Sequence, residues 1–137
     1  MKTVKINAGP FAFTARFETE MAPGTCAFFE SLMPFRQKLV HCRWSGEGCW
    51  VPLGDLPSNI AIENATSYPA PGQLIFYRGG YSKAELLLAY GSVCFASKIG
   101  QLAGNHLMTI TSGIDNLAEL GRLTLWEGAQ NLAIDLE

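Results

Sequence analysis

Apolar and polar residues alternate with a period of two along much of this chain, and the alternation breaks at glycine and proline. Val4 and Ile6 alternate with Lys5 and Asn7. After Gly9-Pro10, the residues Phe11, Phe13, Ala15 and Phe17 alternate with Ala12, Thr14 and Arg16. A β-strand turns successive side chains to opposite faces, so the pattern predicts a hairpin of two strands over 2–7 and 11–18. The spacing then changes. Phe28, Phe29, Leu32 and Met33 recur at three- and four-residue steps behind Pro23, which suits a first helical turn, and Pro34 ends the run. This predicts a helix over 23–33. Lys38–Ser45 and Cys49–Pro52 read as strands around the Gly46/Gly48 turn, and Ile60–Ile62 as a short strand. The clearest strand pair is Gln73–Arg78 with Ala84–Tyr90, joined by Gly79-Gly80-Tyr81-Ser82. Within it Leu86-Leu87-Leu88 leaves no polar face, the mark of a central strand covered on both sides. Residues 91–104 show no period. Leu107–Thr111 predicts a strand. Residues 113–121 predict a short helix with Ile114, Leu117 and Leu120 on one stripe and Ser112 as its cap. Leu123–Glu127 and Leu132–Leu136 predict two closing strands.

About eight strands and two short helices at this spacing predict an all-β protein, a sandwich or a closed, mostly antiparallel barrel. Closure is the better expectation, because so apolar a sheet could not leave its edges open. The whole chain, 1–137, reads as a single domain.

Composition narrows the function classes. With 48% hydrophobic and 16% charged residues, a chain of 137 can bury a full core without staples. A net charge of −2 provides no basic field, which argues against nucleic acid and anionic membrane as partners. The start of the chain has no apolar leader and no run approaches the ~20 residues of a membrane span, so a cytoplasmic location is expected. Cys26, Cys42, Cys49 and Cys94 form no C-x-x-C pair, and His41 and His106 complete no zinc spacing. They read as reduced thiols packed like small hydrophobes, with no metal. Dinucleotide, P-loop, zinc-protease and serine-hydrolase motifs are all missing, so no cofactor is expected.

Candidate chemistry concentrates in His41–Trp50, which holds one of the two histidines, two of the four cysteines and two of the three tryptophans. Continued as a strand, it puts His41, Arg43 and Ser45 on one face and Val40, Cys42 and Trp44 on the other. Glu47 sits in the turn, either within reach of Arg43 or solvated. Glu85 interrupts an otherwise apolar strand, and a carboxylate there needs a partner or a function. It is either an ion-pair partner of Arg43 or Arg78, or a ligand-binding group. Trp44, Trp50 and Trp126 read as core.

The order of elements resembles the cyclophilin fold, an eight-stranded barrel capped by two helices. Met21-Ala22-Pro23-Gly24-Thr25-Cys26-Ala27-Phe28-Phe29 is similar to the cyclophilin helix start V-P-K-T-A-E-N-F. Pro71-Gly72-Gln73-Leu74 is similar to its P-G-I-L strand, Glu85-Leu86-Leu87-Leu88 to Q-F-F-I, and Leu102-Ala103-Gly104-Asn105-His106 to L-D-G-K-H; Ile114-Asp115-Asn116-Leu117 fits its short second helix. The signature F-H-R-I-I-P-G-F-M-Q-G-G-D-F is absent. Trp44–Trp50 and Gly72–Tyr77 resemble instead the small, uncharacterised cyclophilin-like proteins of bacteria and archaea. The resemblance implies a groove on the outer face of the barrel. Arg43 would stand at the position of the cyclophilin arginine and His106 at that of the groove histidine. Glu85 and Leu87 would replace a glutamine and a phenylalanine, Gln101 a tryptophan, and Tyr77 and Arg78 would line a second subsite. So altered, the groove would suit a small polar molecule bearing an amide, carboxylate or amine. Arg43, Glu47, Tyr77, Arg78, Glu85, Leu87, Gln101 and His106 would bind it, with Arg43 the best candidate for any catalysis. Two alternatives stand beside this: a peptidyl-prolyl isomerase acting on a short peptide, and a non-catalytic interaction module, where apolar content allows a homo-oligomer.

Overall fold

The computed structural model describes residues 2–137. Its strands are β1 (Thr3–Ala8), β2 (Phe11–Phe17), β3 (Phe35–His41), β4 (Gly46–Gly54), β5 (Ala65–Thr66), β6 (Gln73–Tyr77), β7 (Ala84–Val93), β8 (Ala96–Ser97), β9 (Gly100–Gln101), β10 (Gly104–Ser112) and β11 (Gln130–Leu136). Helix α1 (Pro23–Glu30) follows β2, and a 3-10 turn, Ile114–Asn116, leads into α2 (Leu117–Glu127). Eight strands run in the order β2-β1-β11-β3-β4-β7-β6-β10, and β10 pairs back onto β2 to close an antiparallel barrel. The two-residue β5 extends β10 at Gly104–Asn105, and β8 with β9 forms a small hairpin outside the barrel. No described helix is long and apolar enough to cross a membrane.

The period-two stretches became strands because each has one face to bury. In β1, Val4, Ile6 and Ala8 are fully buried; in β2, Phe13, Ala15 and Phe17 are. These side chains join Leu39, Val51, Leu74, Phe76, Leu86, Leu88, Ile110 and Ile134 in one core, continuous with Cys26 and Phe29 of α1 and Leu117 and Leu120 of α2. β7 is covered on both sides, as its leucine run predicts. Leu86 and Leu88 face that core, while Leu87 and Ala89 belong to a second cluster with Ile75, Tyr77, Val93, Phe95 and Leu102. The second cluster exists because residues 93–102, which lack a period of their own, fold back over the outer face of β6 and β7.

Several expectations are corrected. Leu123–Glu127 is the second half of α2, not a strand. Leu117, Leu120, Gly121 and Thr124 are its buried residues, a helical spacing, and the Thr124 hydroxyl donates to Leu120 O at 2.7 Å. Five residues were too few for a period of two to be distinctive. Gly121 is needed there, since a Cβ would overlap the Tyr90 ring against which the helix lies. Ile60–Ile62 is not a strand; Ile60 alone is buried, and the pairing falls to β5 instead. Helix α1 ends at Glu30, before Leu32 and Met33. The 3-10 turn starts behind Gly113, in the left-handed region, and Ser112 does not cap it. β3 ends at His41, so the face assignment for residues 42–45 fails once the ladder stops. Trp126 is 74% exposed and Trp44 58%, so neither is core.

Candidate functional site

The segment after β7 is fastened over the barrel by two serines. Ser45, nearly buried, donates its hydroxyl to Ala96 O at 3.1 Å and accepts from Ala96 N at 3.0 Å, while its own carbonyl accepts from Cys94 N. Ser67 O accepts from Phe95 N, and Ser67 Oγ donates to Leu102 O. The strap so held seals Leu87 and Ala89, but its apolar cover stops one residue pair short of the end of β7, at Glu85.

Here a cavity of about 390 Å³ opens on the outside of the barrel, bounded by Cys42, Trp44, Trp50, Glu85, Ser82 and the strap residues Ala96–Lys98. Glu85 is 8% exposed, yet no hydrogen bond or ion pair reaches it among the described residues. Burial alone pushes its carboxyl up to about 7, since the charged form has lost water and gained nothing in return. Three cations, Arg43, Lys83 and Lys98, are exposed at the cavity mouth. Lys83 meets Asp55 at 2.6 Å on the open surface. The Cys42 thiol, which also lines the cavity, is pushed far up by burial and then by Cys49 and Glu85, so it stays protonated and is no nucleophile. Burial likewise holds Cys49 and Cys26 at about 11. All four cysteines are unbridged. Among the described residues no three His, Cys, Asp or Glu side chains cluster as metal ligands.

Of the residues expected to form one groove, the structure brings Arg43 and Glu85 to this cavity. Tyr77, Arg78 and Gln101 line a second hollow of about 320 Å³ on the far side of the Gly79–Ser82 turn. Their polar groups are largely committed. Tyr77 Oη accepts from Tyr81 N at 3.1 Å, pinning a turn in which Gly79 and Gly80 sit at φ +96° and +137°, and Arg78 Nη1 donates to Ile60 O at 2.8 Å. The other three residues fall elsewhere. Leu87 is fully buried under Val93, Phe95 and Leu102, so it makes core and no groove wall. Glu47 accepts from Ser92 N at 2.8 Å and lies over Gly91, holding β4 to β7 rather than pairing with Arg43. His106 is half-buried. Its Nε2 meets Met108 O at 3.1 Å and Thr109 Oγ1 at 2.8 Å, and Thr109 in turn donates to Glu18. Because the threonine proton goes to Glu18, Nε2 carries its own and donates. Burial lowers the ring's pKa, which keeps it neutral.

A larger hollow of about 520 Å³ beside α1 is lined by Lys2, Glu18 and Glu30 among others. There most charges are paired, Lys2 with Glu30 at 2.8 Å and Arg16 with Glu18 at 3.2 Å, and the remaining acid, Glu20, is exposed. The site around Glu85 is the smaller one, and it is the one with an unspent buried charge. Trp50, Ser45, Lys83 and Lys98 were missed as site residues. The tryptophan reads as core, the serine shares the groove face with Arg43 but carries no role there, and nothing local distinguishes the two lysines from solvated ones.

Fold and site together define a closed antiparallel barrel with a cavity on its outer face that is lined by one buried acid and three exposed cations. The chain belongs to the DUF3830 family, described as proteins of unknown function, whose model matches residues 4–135. Among solved structures of similar fold is that of McbB in complex with tryptophan, with a TM-score of 0.76 and 17% sequence identity. The match covers 96% of this chain and 44% of that one, so the present chain spans less than half the length of McbB. No curated protein matches the chain.

Proposed function

We propose that this protein binds one small polar molecule in the outer cavity, with Glu85 as the anchoring group and Arg43 at the mouth. The observation that carries the reading is an acidic residue only 8% exposed that has no partner among the described residues and lines an open cavity. An acid so placed, with no partner of its own, is available to pair with a group that a ligand brings into the cavity. The cavity's volume of about 390 Å³ lies near the lower end of the ~300–1,000 Å³ typical of small-molecule sites. That favours a compact ligand over a peptide segment. Similarity in fold to a protein solved with tryptophan bound is compatible with this. Any turnover would use Glu85 to take or give a proton, since it titrates near neutrality. Unbridged thiols fit a cytoplasmic setting.

The cyclophilin resemblance rests on the sequence segments. Its isomerase reading needs Arg43 and His106 in one groove, and His106 lines neither this cavity nor the neighbouring hollow. The test of small-molecule binding is a thermal-shift panel of amides, amines, amino acids and cyclic imides on wild type and on Glu85→Gln. A class that raises the wild-type melting temperature and leaves the variant's unchanged supports the reading. Equal shifts in both proteins, or none in either, refute it.

A further inference from the structure

The charges around the cavity are sorted by depth. Its one acid, Glu85, is 8% exposed at the floor, whereas Arg43, Lys83 and Lys98 are exposed at the mouth. Between the levels stand aromatic walls: Trp50, half-buried against the outer cluster, and Trp44, 58% exposed. Among the described residues no ion pair joins Glu85 to these cations, and the one that does pair, Lys83, turns to Asp55 on the surface. A simple amine would satisfy Glu85 but meet three like charges on the way in. A simple anion would satisfy the mouth and confront the acid below.

We propose that the ligand is a compact zwitterion of the amino-acid type, its ammonium set against Glu85 at the floor, its anionic group drawn to Arg43 and Lys98 at the mouth, and its apolar body against Trp50. This rests on the small-molecule reading of the same cavity and names the ligand's class. A zwitterion carries both charges in one small molecule, matching a cavity lined by one buried acid and by exposed cations. Binding is then coupled to a proton. Free Glu85 titrates at about 7, and an ammonium beside it favours the carboxylate, so a proton leaves as the ligand enters near neutral pH. The titratable and charged groups around Glu85 are Tyr77 across the β6 ladder and, lining the same cavity, Cys42 and Arg43 from the 42–45 segment, Lys83 two residues before it and Lys98 from the strap. Burial holds the proton on the Cys42 thiol, so the proton released is that of Glu85.

The experiment titrates the full chain with phenylalanine, phenethylamine and 3-phenylpropanoate, which contain no indole. Quenching of the protein's tryptophan fluorescence reports occupancy. Calorimetry in two buffers of different ionisation enthalpy counts protons. The expected result is that phenylalanine binds at least about tenfold more tightly than either single-charge analogue, a margin of one charge contact. Its binding at pH 7 releases a proton, and Glu85→Gln abolishes that release. The double variant Arg43→Ala/Lys98→Ala, made at exposed positions, weakens phenylalanine and tightens phenethylamine, which no longer meets those two like charges. Phenethylamine binding as tightly as phenylalanine, or 3-phenylpropanoate binding with proton uptake, overturns the zwitterion while the quenching shows the cavity is still a site. No quenching and no heat with all three overturns the small-molecule reading itself.

Discussion

Two carboxylates of this barrel meet burial in opposite ways. Glu63 lies against the start of α1, where its Oε2 accepts from Thr25 N and from Thr25 Oγ1, both at 2.8 Å. Asn105, 4% exposed, completes the arrangement by donating to Thr25 Oγ1 and to Ala61 O and accepting from Glu63 N. Glu63 Oε2 accepts twice there, and the acid's work is to satisfy a helix N-terminus and tie residues 61–63 to β10. Glu85 is more deeply buried than Glu63 and has no such partners. The contrast teaches that burial of an acid marks neither structure nor function by itself. What distinguishes a binding group is that its counterpart is missing from the chain.

The comparison makes substitution effects diverge. Asn105→Ala is expected to cost most, about 3 kcal/mol, because it removes three hydrogen bonds and strands buried partners. Urea denaturation with an unchanged slope measures it; a loss below about 0.5 kcal/mol would mean the network is not a unit. Glu85→Gln should act in the opposite direction. The carboxyl titrates at about 7 in the fold against an ordinary 4.5, so the native state binds the extra proton between those values and loses stability as pH rises through them. At pH 8 the ionised acid costs the empty protein about 2–3 kcal/mol, and the glutamine variant should regain much of it; at pH 4 the two should be equal. Denaturation at both pH values decides, and a variant less stable than wild type at pH 8 would show that Glu85 is a structural acid after all.

Ser45→Ala removes both hydrogen bonds to Ala96 and should cost about 1 kcal/mol. Its sharper signature is faster amide exchange confined to residues 94–98, together with weaker ligand binding, since the strap forms one cavity wall. Arg43→Ala is the smallest change in stability, within about 0.5 kcal/mol, because the side chain is exposed. Lowered affinity for an anionic or zwitterionic ligand with unchanged melting temperature would separate it from the structural residues, and a change in melting temperature without one in affinity would remove it from the site.

Much of the barrel was legible because strand patterns are local. Val4/Ile6/Ala8 and Phe13/Ala15/Phe17 state their buried face in the sequence, and Leu86-Leu87-Leu88 states that both faces of β7 are covered. Glu85 was legible for the same reason, as an acid in an apolar run. The rest of the site was not. The alternation through His41–Ser45 reads as a strand, but the ladder with β4 records only Val40↔Trp50 and His41↔Cys49, so Ser45 turns inward to the strap and Trp44 outward. Leu123–Glu127 alternates like a strand and forms a helix because its contacts are with β3, β4 and β7.

What the sequence determined by itself was most of the barrel strands, the covered faces of β7 and the presence of one misplaced acid, all of which depend on neighbours two to four residues away. Tertiary structure decided which cations share a cavity with that acid, which leucine is wall and which is core, and that His106 stands apart. Those outcomes depend on how the aperiodic segment 93–102 lies across the outer sheet. Its path is set by hydrogen bonds from Ser45 and Ser67, residues tens of positions away, whose hydroxyls have no pattern along the chain to announce them.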